Sequence, residues 1–290
     1  MAPSSPIVAR WELMLRLRER RLELDIGPAA IAKKLRISSG YWSHIEGERN
    51  LLSEDKLRVL LHWLEFDDDE KRELLQLRVV ARQRAWWSHY SGLFGADQLR
   101  LIGLEHGAQT IQTYETVVFP GLLQAEPYAR AIIASAVGSV RPAEVDQRVA
   151  VRMLRQQRLG GDDPIRLIAV IGQAALVHET GGPEVLRQQL DHIAQLIQQH
   201  PDTLDVRVIP FSCREGNALG GATFHLLDFE NTRLPTLAWQ ESAVAGETTD
   251  NDIRIRELSY AFGQVQSIAL DQESSLNLIR RSARELESRA

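Results

Sequence analysis

The chain has 290 residues, 44% hydrophobic and 25% charged, with one cysteine and a net charge of −5. That length suits two domains, and the single Cys213 excludes an intrachain disulfide and a multi-cysteine metal site, so a reducing, cytoplasmic home is expected. The N-terminal stretch lacks a secretory signal pattern, and no run approaches the roughly 20 apolar residues that span a bilayer, so no membrane partner is expected.

Net acidity taken alone argues against nucleic-acid binding, because phosphate attraction comes from clustered Lys and Arg. Its distribution argues the other way. Residues 1 to 66 carry 11 Lys and Arg against 9 Asp and Glu, a balance of +2, leaving −7 for the remainder. The cations cluster at Arg16, Arg18, Arg20 and Arg21, then at Lys33, Lys34 and Arg36. An acidic body with a basic head fits a regulator, although solvated helix faces account for such runs equally well.

From residue 8 to 24, Trp11, Leu13, Met14, Leu17, Leu22 and Leu24 recur at roughly helical spacing, which predicts a first amphipathic helix. Asp25 ends it, being tolerant of positive φ, and Pro28 opens a short second helix that runs to residue 35. Arg36 and Ile37 make the turn. Ser38 caps a third helix that buries Trp42 and Ile45 and leaves Ser39, Gly40, Tyr41, Ser43 and His44 outside. Ser53 caps a fourth, with Leu57, Leu60, Leu61 and Leu64 as its core stripe.

The segment "IGPAAIAKKLRISSGYWSHIEGER" resembles the helix-turn-helix of the Xre, phage-repressor-like, family through Ile26, Ile31, Ala32, Leu35, Ile37, Ile45 and Glu46. The resemblance implies a five-helix head whose third helix enters the major groove, with the N-terminus of the preceding helix on a phosphate. It makes Lys33, Ser38, Ser39, Tyr41, Ser43, His44 and Arg49 the candidate DNA-binding residues. Family members often carry Gln, Ser or Arg where this chain has Ser39, Gly40 and His44, and Gln where it has Pro28. With no bidentate Arg–guanine or Gln–adenine pair available, base discrimination is expected to be modest. Phosphate contacts then fall to Arg49, Lys33 and the arginines of the first helix.

Residues 67 to about 87 open with acids and close with Arg78, Arg82 and Arg84, the order a helix dipole favours, and read as a connecting helix. The expected domains are therefore 1–66, a connector over 67–95, and 96–290. Trp86, Trp87 and Tyr90, with Tyr114 and Tyr128, either line a pocket or anchor the connector in a core. Further on, strands are predicted at 110–118, 165–171, 204–209, 223–229 and 236–240, and helices at 124–137, 142–159, 183–199, 252–270 and 274–287. Consecutive middle strands with tight polar turns favour a largely antiparallel sheet in an α+β domain.

"GLEHGAQTIQTYETVVFPGLLQAEPYARAI", "GGPEVLRQQLDHIAQL", "VRVIPF" and "DQESSLNLIRRSARELE" resemble the C-terminal domain of actinobacterial Xre regulators exemplified by WhiJ-like, or antitoxin-like, proteins. Glu105, Tyr114, Glu115, Gln124 and Tyr128 lie in the strongest of these stretches and join Trp86, Trp87 and Tyr90 as candidate ligand or partner contacts. The resemblance implies a transcription regulator, often encoded beside a small partner protein. A homodimer on a palindromic double-stranded operator is expected, with a small protein or small molecule as signal and no cofactor or metal. The alternative is an antitoxin-like protein-binding module with a vestigial DNA-binding head.

Catalysis lacks its usual marks. His44-x-Glu46 mimics half of a zinc deaminase signature whose cysteine half is missing, and neither a Gly-x-Ser-x-Gly elbow nor a phosphate loop occurs. His178-Glu179 and Asp191-His192 are adjacent pairs that do not face each other on a helix. The stretch "GNALGG" at 216–221 reads only as a glycine-rich turn. Glu105, Glu115 and His106 are the groups a cleft could bring together, but no enzyme is expected.

Overall fold

The computed structural model describes residues 2–136, 140–215, 223–241 and 246–288, so the glycine-rich turn at 216–221 lies outside the described residues. The chain divides into two compact units, Pro3–His89 and Tyr90–Ala290, the second including the first two residues.

The N-terminal unit is a helical head of α1 (Pro6–Glu23), α2 (Pro28–Leu35), α3 (Ser39–Glu46), α4 (Glu54–Trp63) and α5 (Asp68–Ala81). The helix starts are set locally. Ser38 accepts from Tyr41 N at 3.1 Å and Ser53 from Lys56 N at 3.4 Å, while Asp67 and Glu70 form a reciprocal capping box. The ends of the first four helices share one device: Asp25, Arg36, Glu48 and Glu65, at φ 52°, 52°, 58° and 56°, each close a helix in the left-handed conformation. At each, the next residue's N–H reaches back to the last turn, as in Ile26 to Arg21 O and Phe66 to Leu61 O.

Leu13, Leu17, Ile31, Ile45, Leu60 and Leu64 belong to one core that also holds Leu74 of α5. The expected connector is therefore corrected: α5 is the fifth helix of the head, buried against α1 and α4 through Leu74, Arg78 and Ala81. It stops at Ala81 rather than near 87, where Arg82 and Gln83 donate to Val79 and Val80 O and tighten the last turn. Trp86–Tyr90 is a separate short 3-10 turn.

The C-terminal unit is α+β. Its elements are α6 (Ala96–Gly107), β1 (Thr110–Glu115), α7 (Glu126–Ser135), α8 (Val145–Gln156), β2 (Arg166–Gly172), α9 (Pro183–Gln199), β3 (Leu204–Ile209), β4 (Phe224–Asp228), β5 (Leu237–Glu241), β6 (Gly246–Thr249), α10 (Asp252–Ile268) and α11 (Gln272–Glu287). The sheet order is β3-β2-β1-β4-β5-β6. Helical crossovers make β1, β2 and β3 parallel, and the rest pair antiparallel, so three of the five pairings are antiparallel. Strand β6, Gly-Glu-Thr-Thr, has no apolar residue and gave no sequence signal.

Strand alternation divides the sheet into two chemically different faces. Tyr114, Val170, Phe224, Leu226 and Ala238 pack with Phe262 and Val265 of α10. Their neighbours Thr113, Glu115, Leu167, His225, Leu227 and Trp239 turn the other way, toward α6, α7 and α8. Thr113 pairs in register with Ala169 and His225, which puts it at mid-sheet.

Candidate functional sites

In the head, α3 is held from inside by Trp42 and Ile45, both buried, and leaves Ser39, Gly40, Tyr41, Ser43 and His44 exposed. Lys33, Ser38 and Arg49 are exposed as well. All seven sequence-predicted DNA-binding residues thus lie on the surface of the head.

The arginines of α1 have a different job from the one expected of them. Arg10 donates to Glu48 O (3.1 Å) and Ala81 O (3.2 Å), and Arg18 to Glu46 O (3.4 Å). Arg20 donates to Leu64 O (2.9 Å) and Glu65 O (3.3 Å). Arg21 donates to Ile26 O (2.9 Å) and meets Glu46 Oε1 (3.4 Å), while buried Arg16 meets Glu73 (2.9 Å) and Glu70 (3.6 Å). Helix C-termini present carbonyls without intrahelical partners, and Arg10, Arg18, Arg20 and Arg21 satisfy carbonyls at or just past such ends, while Arg16 pairs with carboxylates of α5. The expectation that they hold phosphate is corrected: they are committed to the fold.

Lys56 is likewise spent on Leu35 O (2.8 Å), and Lys34 lies 5.5 Å from the Trp63 ring centre. The side chains of Lys33, Arg36 and Arg49 make no hydrogen bond or ion pair among the described residues. They sit on α2, in the turn, and just past α3, and so flank the helix-turn-helix. Arg36 was legible only as part of a basic cluster; its freedom is a tertiary fact.

In the C-terminal unit, the sheet face opposite α10 floors a cavity of about 920 Å³ roofed by α6, α7, α8 and the 118–124 segment. Three buried or half-buried glutamines pin that segment. Gln124 donates to Phe119 O (2.6 Å), Gln156 to Gln124 O (2.6 Å), and Gln189 to Leu123 O (2.7 Å) while accepting from Ala125 N.

The cavity has an apolar part, including Leu101, Ile111, Phe119 and Leu227, and a polar end. At the polar end Arg155 makes two bonds to Glu105, 2.8 and 2.7 Å, and Arg152 donates to Gln124 Oε1 at 2.5 Å. Thr223 donates its hydroxyl to Glu115 at 2.9 Å. Burial, with the charge of Glu241 added, pushes Glu115 up to about 7 against the pull of Thr223 and Arg152. Burial also pulls His225 down to about 4 and Arg152 to about 10. Gly246 closes one wall, and a Cβ there would lie 1.9 Å from the Trp239 ring, so only glycine fits.

Of the residues predicted for a ligand or partner pocket, Glu105, Glu115 and Gln124 line this cavity. The aromatic members do not. Tyr114 is on the α10 face of β1, opposite Glu115, because adjacent strand residues point to opposite sides. Tyr128 is buried edge-on against Phe119, with ring centres 5.4 Å apart, and His106 does not reach the cavity lining. Trp86 and Trp87 form a T-shaped pair at 5.5 Å in the other unit, and Tyr90 begins this one without lining the cavity. Arg152, Arg155, Thr113, His225 and Trp239 were not read from the sequence. A signal existed in Arg148, Arg152 and Arg155, whose spacing puts three cations on one helix face.

Fold and surface define a helix-turn-helix protein, and the helix-turn-helix domain family matches residues 12–74. Residues 98–281, more than half of the chain, match the domain of unknown function DUF5753, and the chain belongs to that family. Comparison with curated proteins and with solved structures finds no match to this chain. Among the described residues no helix is long and apolar enough to cross a membrane.

Proposed function

We propose that this chain is a sequence-specific, DNA-binding transcriptional regulator of the Xre type with a WhiJ-like C-terminal unit. It works in the cytoplasm as a homodimer, without catalysis of its own, on a palindromic double-stranded operator. Lys33, Arg36 and Arg49, the cations around α3 whose side chains have no protein partner among the described residues, are the observation that carries this reading. A guanidinium held in place by helix-end carbonyls has fewer donors left for a phosphate, whereas these three side chains keep all of theirs. Ser39, Ser43 and His44 read base edges from the exposed side of α3, and the C-terminal unit takes up a small molecule or small protein as signal.

The test is a gel-shift selection from a random duplex pool at several salt concentrations. An enriched, palindromic sequence bound more weakly as salt rises supports the proposal; binding without sequence preference or salt dependence removes it. The short side chains at Ser39, Gly40 and Ser43 favour a second reading, an antitoxin-like module whose head contacts protein. Pull-down of neighbouring gene products, compared between the wild type and a Lys33→Ala, Arg49→Ala variant, separates the two.

A further inference from the structure

Two side chains on the cavity wall are buried, polar and unpartnered. Thr113 Oγ1 and Trp239 Nε1 have no hydrogen-bond partner among the described residues, and the two residues are 1% and 2% exposed. Buried polar atoms are normally satisfied, so two such groups on one cavity point to a missing partner. Both residues pair within the sheet through their backbones, and the two side-chain atoms take no part in that ladder.

The spare capacity is mostly that of donors. Trp239 N–H can only donate, and among the described residues Arg152 donates one bond, to a neutral amide, and is gripped by no carboxylate, which leaves further N–H groups on its guanidinium. Of the carboxylates nearby, both oxygens of Glu105 are held by Arg155 and Glu115 accepts from Thr223, while Glu241 stands on the same lining as a negative charge that offsets part of that of Arg152. Across from this end, Leu101, Ile111, Phe119 and Leu227 offer only apolar surface. A cavity of about 920 Å³ lies within the usual range for a drug-sized ligand.

We propose that this cavity binds a small organic acid, with its anionic oxygens on Arg152, Trp239 Nε1 and Thr113 Oγ1 and its apolar body against Leu101 and Phe119. The assignment deepens the sensor reading of the C-terminal unit and rests on it for its regulatory meaning only, since binding is measured with no DNA present. The raised Glu115 carboxyl suits this occupant below about pH 7, where its neutral form does not repel an incoming anion and can donate to it.

The probes are anilinonaphthalene sulfonate and its uncharged counterpart phenylnaphthylamine, which share an apolar skeleton and differ in the anionic head. Titrated into the full-length protein, the sulfonate should bind saturably at one site, with energy transfer from Trp239 lost in Trp239→Phe. Leu101→Trp, or Val118→Trp should the first not fold, fills the cavity and should abolish both probes. Arg152→Gln should weaken the sulfonate about tenfold or more and leave the neutral probe nearly unchanged, as expected for loss of a charge-assisted bond. Thr113→Val should weaken the sulfonate to a smaller extent. No binding of either probe, binding indifferent to both filling variants, or equal loss of the two probes in Arg152→Gln overturns the proposal. A gel shift on the same variants reads the DNA-binding claim separately, so either can fail alone.

Discussion

Arg155 grips Glu105 through two parallel N–H···O bonds of 2.8 and 2.7 Å, joining α8 to α6 across the roof of the cavity. The side chains are 17% and 7% exposed, so the pair is held away from bulk water. Removing one partner of such a pair leaves a buried charge. Glu105→Ala should destabilise the C-terminal unit by about 3–5 kcal/mol, and Glu105→Ala with Arg155→Met by clearly less. Calorimetric unfolding checks this; equal losses for the single and double variants would contradict it.

Glu115 and His225 give the cavity a pH signature. Around them stand Arg152 and Arg155 from α8, Glu105 from α6, Thr223 beside β4 and Glu241 from β5. Folded Glu115, at about 7 against 4.5 ordinarily, keeps a proton the unfolded chain loses, so its contribution falls as pH rises through that window. Folded His225, at about 4 against 6.5, refuses a proton the unfolded chain takes, so its contribution rises with pH between those values. The two slopes oppose where the windows overlap. Glu115→Gln removes one of them, and its stability relative to wild type should climb with pH and reach an advantage of up to about 3 kcal/mol near neutrality and above. Thermal melts across that range decide, and a pH-independent difference would count against it.

Phosphate contact and structural commitment separate by salt. Lys33→Ala, Arg36→Ala and Arg49→Ala should each weaken DNA binding for all sequences and reduce the slope of log affinity against log salt by about 1. Arg18→Ala and Arg20→Ala should lower the melting temperature of the head and leave that slope alone. Ser39→Ala should change sequence preference more than strength. A slope change for Arg20→Ala would reverse the assignment.

The left-handed helix ends carry removable strain. Glu65, at φ 56°, makes no side-chain bond among the described residues, while its carbonyl bond to Arg20 survives substitution. Glu65→Gly should stabilise the head by about 0.5–1 kcal/mol, the relief at positive φ exceeding the entropy gained by the unfolded chain. Glu65→Val should destabilise it. Urea midpoints measured side by side test both signs.

Thr113→Val replaces an unpartnered buried hydroxyl by a methyl group of the same shape. The empty protein should gain about 1 kcal/mol of stability, because the desolvation of that hydroxyl is no longer uncompensated. Loss of stability would mean that the hydroxyl has a partner in the folded state.

Local rules reached far into the head. Ser38, Ser53 and Asp25 were legible because capping and turn chemistry act within a few residues, and Trp42 and Ile45 because three-residue spacing sets one helix face. Charge was the misleading signal there. Arg16, Arg18, Arg20 and Arg21 look like a phosphate-binding run, and their use depends on the carbonyls of Glu46 and Leu64 and the carboxylate of Glu73, brought up by the packing of α1.

The two-part organisation, the helix-turn-helix and most strands and helices were readable from the chain, since each rests on composition, periodicity or a cap that neighbouring residues complete. It took long-range packing to bring Glu105, Thr113, Arg152, Thr223 and Trp239 to one cavity and to keep Tyr114 and Tyr128 in the core. The reason is topological: which strands adjoin β1, and hence which side chains share its polar face, is set by packing between segments far apart in the chain.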